Sequence, residues 1–230
     1  MKKLSKLAVT AALGMMVLIA GTAQAATYDF YDWAFYIDGV TYEKLNGDAI
    51  PTTGSLVNGL GTLSLTSSGA GSHTIVAYLD YEIDEVINTY FNEVGSSANT
   101  LAAGQSWQIG DGFAASPNIY DNALAGALTN SDLNGGLPND VAMAIGWNFT
   151  LLAGETATIS YLLSDLTRPD GFYLEQFDRD SQAYLFFSSG MTIDGGGPPV
   201  VPEPSTILLL AAGLAGLGLY GRNRSKKEAA

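Results

Sequence analysis

The chain has 230 residues, a formal net charge of −13, 47% hydrophobic residues and no cysteine. Without cysteine there is no disulfide, no thiolate metal site and no cysteine nucleophile, so stability has to come from burial. The acidic balance argues against nucleic acid and anionic lipid surfaces as partners, because they carry charge of the same sign.

At the N-terminus, Lys2, Lys3 and Lys6 precede an apolar run from Leu7 to Ala20, and Ala23-Gln24-Ala25 follows. A basic region, an apolar region and a small-residue cleavage site at Ala23 and Ala25 read as a secretory signal peptide over residues 1–25. Beyond it, the body has only Lys44, Arg168 and Arg179 as cations, against about twenty Asp and Glu. Divalent cations and neutral, hydroxyl-rich polymers suit such a surface.

The body, residues 26–194, suits one domain with its own core. Tyr28 to Ile37 predicts an aromatic-rich strand, and Asp38-Gly39 joins it to Val40-Thr41-Tyr42 as a type I′ hairpin. Leu60 to Leu65 and His73 to Tyr81 predict two further strands. Glu85 to Phe91 fits a helical turn or a strand equally. From Gly95 to Pro138, Gly, Ala, Asn and Ser predominate; long loops are expected there, with Gln105 to Ile109 the clearest strand.

Larger and smaller residues alternate from Val141 to Thr150. Gly154-Glu155 forms a turn, and Thr156 to Leu163, Phe172 to Phe177 and Gln182 to Ile193 complete the set. Many short strands with turn signals and no βαβ rhythm predict an all-β, single antiparallel β-sandwich or jelly-roll-like ectodomain. Residues 195–200, opening with Gly195-Gly196-Gly197-Pro198-Pro199, read as a linker.

Asp80, Glu82 and Asp84 alternate, so on a strand they point to one face, where three carboxylates repel unless a cation sits among them. Calcium fits, since it takes six to eight oxygen ligands in irregular geometry; the competing reading is a solvated polar face. The pattern is not an EF-hand loop: counting Asp80 as the first position, the sixth is Glu85 rather than Gly and the twelfth is Phe91. Asp178 and Asp180 offer a second place for a metal, although surface turns explain that segment more simply. His73 is the only histidine and reads as structural; no G-x-S-x-G context supports a nucleophilic serine. Many carboxylates make a glycosidase pair easy to draw and therefore uninformative. Trp33, Trp107 and Trp147 read as core, with Trp107 the most exposed of them.

The last stretch is tripartite. Val201-Pro202-Glu203-Pro204 comes first, an uncharged run from Ser205 to Gly221 follows, and Arg222, Arg224, Lys226 and Lys227 form a basic end. The prolines prevent a helix from starting before Ser205, a suitable N-cap. A helix over 205–221 would be roughly 25 Å long, close to the roughly 30 Å hydrocarbon core, so a single transmembrane helix is expected. The four cations of the 222–227 tail would remain cytoplasmic.

Residues 201–227 resemble the PEP-CTERM sorting signal of exported bacterial proteins handled by an exosortase. The resemblance implies recognition at Pro202, Glu203 and Pro204, transient anchoring in the inner membrane of a Gram-negative bacterium, and delivery to the cell surface or matrix in association with exopolysaccharide and biofilm. Two body segments, His73 to Glu93 and Gly146 to Ile193, are similar to stretches of uncharacterised PEP-CTERM proteins and imply no activity. The expected function is thus non-enzymatic, structural or adhesive. The alternatives are a calcium-dependent carbohydrate-binding module and a surface polysaccharide hydrolase.

Overall fold

The structure, a computed structural model, describes residues 26–196 other than Ile87 and Thr167. The expected signal peptide over residues 1–25, most of the expected linker and the tail, including the expected 205–221 helix, lie outside the described residues. Among the described residues no helix is long and apolar enough to cross a membrane.

Two six-stranded sheets face each other. One has the strand order β2-β1-β5-β9-β7-β8, built from β1 (Tyr28–Ile37), β2 (Val40–Glu43), β5 (Gly71–Ile83), β7 (Gln105–Gly110), β8 (Ser131–Asp132) and β9 (Ala142–Leu151). The other has the order β3-β4-β10-β12-β11-β6, from β3 (Thr53–Val57), β4 (Leu60–Ser68), β6 (Glu93–Ala98), β10 (Glu155–Ser164), β11 (Tyr173–Asp178) and β12 (Tyr184–Gly195). All pairings are antiparallel except β7 with β8. The strands predicted from sequence are present, and β12 runs through Ile193 into the first linker glycine.

Period-two alternation decides which residues meet between the sheets. Ile75, Ala77, Leu79, Tyr81 and Ile83 of β5 and Val141, Met143, Ile145 and Trp147 along β9 point inward. They meet Ile159, Tyr161, Leu163, Leu174, Leu185 and Phe187 from the opposite sheet. At roughly 1.5–3 kcal/mol per large apolar side chain fully buried, this single cluster dominates stability. Trp33 and Trp147 are buried in it, while Trp107 is half-buried and packs against Phe172 with ring centroids 6.0 Å apart.

The β1–β2 hairpin turns at Asp38 and Gly39, with φ of 49° and 92°, the left-handed pair a type I′ turn requires. Asn58-Gly59 makes the same kind of turn between β3 and β4, with φ of 52° and 80°.

β5 is buried on both faces from Ile75 to Ile83. Its outward residues are covered by a short helix, α1 (Ile119–Leu124), capped by Asn118, which accepts from Asp121 N while the Asp121 side chain accepts from Asn118 N. Ala34, Ala142 and Ala144 are small enough for Ile119 and Ala123 to approach the sheet beside Val76 and Tyr78. This third layer continues into the loop before α1, and under that loop the outward face becomes acidic.

Candidate metal centre

Beyond Val76 and Tyr78, the next outward residues of β5 are Asp80 and Glu82. Asp80 pairs with Ala142 of β9, and continuing that register by two residues sets Glu82 opposite Asp140. Ligand oxygens of Asp80, Glu82 and Asp140 all lie within 4.8 Å of one another, and the three residues are 0%, 4% and 3% exposed.

The other neighbouring strand adds a fourth buried carboxylate. A register irregularity between Phe30 and Asp32 inserts Tyr31 as an extra residue in β1. Phe30 and Trp33 remain in contact with the core, and Asp32 sits beside Asp80. Lys44 holds the bulge by donating its ammonium to the carbonyls of Phe30 and Tyr31. Asp32 Oδ1 accepts from Trp33 N at 2.8 Å.

The central carboxylates are under-bonded. Asp80 Oδ1, Glu82 Oε2 and Asp140 Oδ1 are buried without a hydrogen-bond partner. The remaining Asp80 oxygen has only a long 3.5 Å contact from the Tyr78 hydroxyl. Among the described residues the ion pairs are His73 with Asp38 and Arg168 with Glu175, so neither neutralises this cluster. Burial, together with Asp140, Glu82 and Asp32 nearby, pushes Asp80 up to about 9. Burial, then Asp140 and Glu85, pushes Glu82 up to about 8. Burial, then Asp111 and Glu85, pushes Asp140 up to about 6.

The cluster opens into a cleft of about 370 Å³ with Glu82 and Asp140 in its wall and Tyr31, Tyr90, Phe91 and Phe113 around it. Tyr31 and Phe113 meet edge to face with centroids 6.1 Å apart, and Phe91 lies 4.2 Å from Tyr90. Phe113 is 65% exposed and Phe91 55%, an unusual display of aromatic surface beside buried charge. Glu85 and Asp111 also line the cleft. Gly112 passes so close to the sheet that a Cβ there would stand 2.1 Å from the Tyr78 hydroxyl, and this closeness covers the cluster.

Asp80 and Glu82 are thus brought together as their alternation predicts, and Asp84 is placed elsewhere. Asp84 has left β5 with a φ of 57°. Its Oδ1 accepts from Thr27 N at 2.7 Å and Thr27 Oγ1 at 3.0 Å, tying down the start of the domain. Asp140 takes the third position. Its signal was invisible locally, because only the pairing of β5 with β9 makes it a neighbour.

Asp178 is buried and fully occupied. Its carboxylate accepts from Asp180 N, Ser181 N and the side chains of Asn88 and Asn92, so it closes a turn instead of offering ligands. Glu93 is also engaged, accepting from Ile83 N at 3.1 Å and Gln176 Nε2 at 2.5 Å. His73 is held by Asp38, Ser67 and the Gly69 carbonyl, and it stacks on Phe149.

Chemically, the centre is a set of hard oxygen donors without histidine or thiolate, suited to a hard divalent cation rather than to zinc or copper. The described residues form a β-rich domain with an acidic, aromatic-rimmed cleft. The C-terminus defines its handling: residues 200–225 match the family of the PEP-CTERM protein-sorting motif. That motif marks an exported protein, transiently membrane-anchored and processed by an exosortase. The matched stretch contains Pro202, Glu203 and Pro204 and the cations Arg222 and Arg224; Lys226 and Lys227 follow it, and the body segments 73–93 and 146–193 lie outside it. No curated protein and no solved structure matches the chain.

Proposed function

We propose that this is a non-enzymatic protein of a Gram-negative cell surface or extracellular matrix, with a structural or adhesive ectodomain associated with exopolysaccharide. A signal peptide over residues 1–25, cut after Ala25, takes it across the inner membrane. The 205–221 helix and the basic residues Arg222, Arg224, Lys226 and Lys227 hold it there until the exosortase reads Pro202, Glu203 and Pro204. The observation that carries this reading is the sorting-motif match at residues 200–225. The test is Glu203→Ala in the producing cell, followed by fractionation. Unprocessed precursor is expected to accumulate in the membrane fraction while surface protein falls; unchanged processing and delivery would overturn the reading.

A second reading is favoured by the cleft. A calcium-dependent carbohydrate-binding module needs oxygen ligands and flat apolar surfaces for sugar rings, and Glu82 and Asp140 lie beside Tyr31, Tyr90, Phe91 and Phe113. Incubation with polysaccharide separates this reading from hydrolysis: binding without new reducing ends is expected of a module, and new reducing ends would assign a hydrolase.

A further inference from the structure

We propose that Asp80, Glu82 and Asp140 form a calcium site at the floor of the cleft, with open coordination positions facing Tyr31 and Phe113. Two ligands on opposite sides of a calcium ion stand about 4.6–5.2 Å apart. Three carboxylate oxygens within 4.8 Å of one another can therefore reach one ion without rearranging the sheet. Two of the ligands belong to β5 and the third adjoins β9, central strands of the sheet, so the cradle is rigid on its inner side.

The independent observation is the state of the donor atoms. Asp80 Oδ1, Glu82 Oε2 and Asp140 Oδ1 are buried and have no partner. Each such group costs about 1–3 kcal/mol, more when charged, and buried polar atoms of folded proteins are nearly always satisfied. Asp178 and Glu93, equally buried, show the usual solution, with every carboxylate oxygen accepting from an amide. At Asp80, Glu82 and Asp140 that solution is missing. One cation satisfies all three orphaned oxygens together and removes their mutual repulsion.

Calcium is favoured over magnesium by the irregular donor set and by the cleft. Calcium tolerates six to eight ligands, and positions not filled by the protein are open to water or to neighbouring hydroxyls of a bound ligand. Glu85 and Asp111 line the approach and draw cations inward. With few protein ligands, the site belongs with extracellular modules whose Kd lies around 10⁻⁴–10⁻³ M. This inference supplies the ion that the carbohydrate reading needs, and it stands if no sugar binds.

The experiment uses the full-length chain in detergent micelles, with terbium(III) and calcium as probes. Tyr31 and Tyr78 are close enough to sensitise terbium luminescence, so saturable emission displaced by about 1 mM calcium is expected. Calcium should also raise the melting temperature by several degrees, reversed by chelator. Asp140→Asn and Glu82→Gln should each weaken calcium binding at least about tenfold. Asp84→Asn should leave it unchanged, and circular dichroism in chelator checks that each variant is folded. No luminescence and no thermal shift up to about 10 mM calcium would overturn the site. So would equal shifts by magnesium and calcium that survive in Asp140→Asn.

Discussion

Asp32 and Asp80 are direct register partners across β1 and β5, both buried, with neither forming an ion pair among the described residues. Like charges directly opposite on adjacent strands repel, and burial strengthens the repulsion. The pair sits at the edge of the three-carboxylate centre, so its cost depends on whether a cation is nearby.

Asp80→Asn is therefore expected to have opposite effects in two buffers. In chelator it removes a buried carboxyl that folding forces to take up a proton at neutral pH, and the variant should be more stable than the parent by about 1–3 kcal/mol. In calcium it loses a ligand, and the parent's stabilisation should disappear. Thermal melts of both proteins in both buffers measure this. A variant less stable than the parent in chelator would mean that Asp80 is satisfied by the protein itself.

The pH dependence of the calcium-free protein has a definite sign. Asp80, Glu82 and Asp140 are raised to about 9, 8 and 6, and Glu93 to about 9, all chiefly by burial. The unfolded carboxyls titrate near 4. The folded state thus holds more protons between those limits, and stability is full near pH 4 and falls as pH rises through the folded values. The groups facing the cluster, Asp32, Tyr78, Glu85 and Asp111, add no positive charge to reverse the slope. Urea midpoints across pH 5–9 in chelator should decline steadily; calcium should flatten the decline, because bound carboxylates are deprotonated by the metal.

His73 provides a separate titration. Its hydrogen bond to Asp38, followed by that to the Gly69 carbonyl, raises it above the ordinary histidine value. Its stabilising contribution is present below about pH 6.5 and is lost as pH rises through the raised folded value. As the only histidine, it gives a single set of imidazole resonances. Asp38→Asn keeps the left-handed turn, which Asn tolerates, and should lower the imidazole midpoint towards 6.5.

Gln176 of β11 joins the two sheets close to the carboxylate cluster, at Tyr81, which lies between Asp80 and Glu82 in β5. Its side-chain amide donates to the Tyr81 carbonyl at 2.6 Å and to Glu93 Oε2 at 2.5 Å, and the residue is fully buried. Gln176→Ala removes both bonds and leaves a buried carboxyl and a buried carbonyl short of a donor. A loss of about 2–4 kcal/mol is expected from urea unfolding.

The strands were legible because they alternate strongly: Tyr28–Ile37 is delimited in the sequence as it is in the fold, and Asp38-Gly39 announces its hairpin. Asn58-Gly59 carries an equally plain turn signal, and it would have revealed β3, whose Thr-Gly-Ser opening hides its strand character. β6 and α1 were missed among small polar residues. Both depend on tertiary support, β6 from pairing with β11 and α1 from packing on a sheet face made flat by Ala34, Ala142 and Ala144. Alternation placed Asp80 and Glu82 together, but it extended one step too far to Asp84, where the strand has ended and the backbone turns left-handed. Asp140 could not be found without the β5–β9 register, since 58 residues separate it from Glu82 (140 − 82). The cleft's aromatics, Tyr31, Phe91 and Phe113, come from a bulge, the single 3-10 turn Tyr90–Asn92 and a loop, features too short for periodicity to show.

The most direct test of the functional account is a binding isotherm of the full-length chain in detergent on polysaccharide extracted from the producing cell, in calcium and then in chelator. The account predicts saturable binding in calcium that is lost in chelator and lost in Asp140→Asn. Absence of binding in both buffers, from a chain that still takes up calcium, would contradict a role on exopolysaccharide and leave the metal centre standing alone.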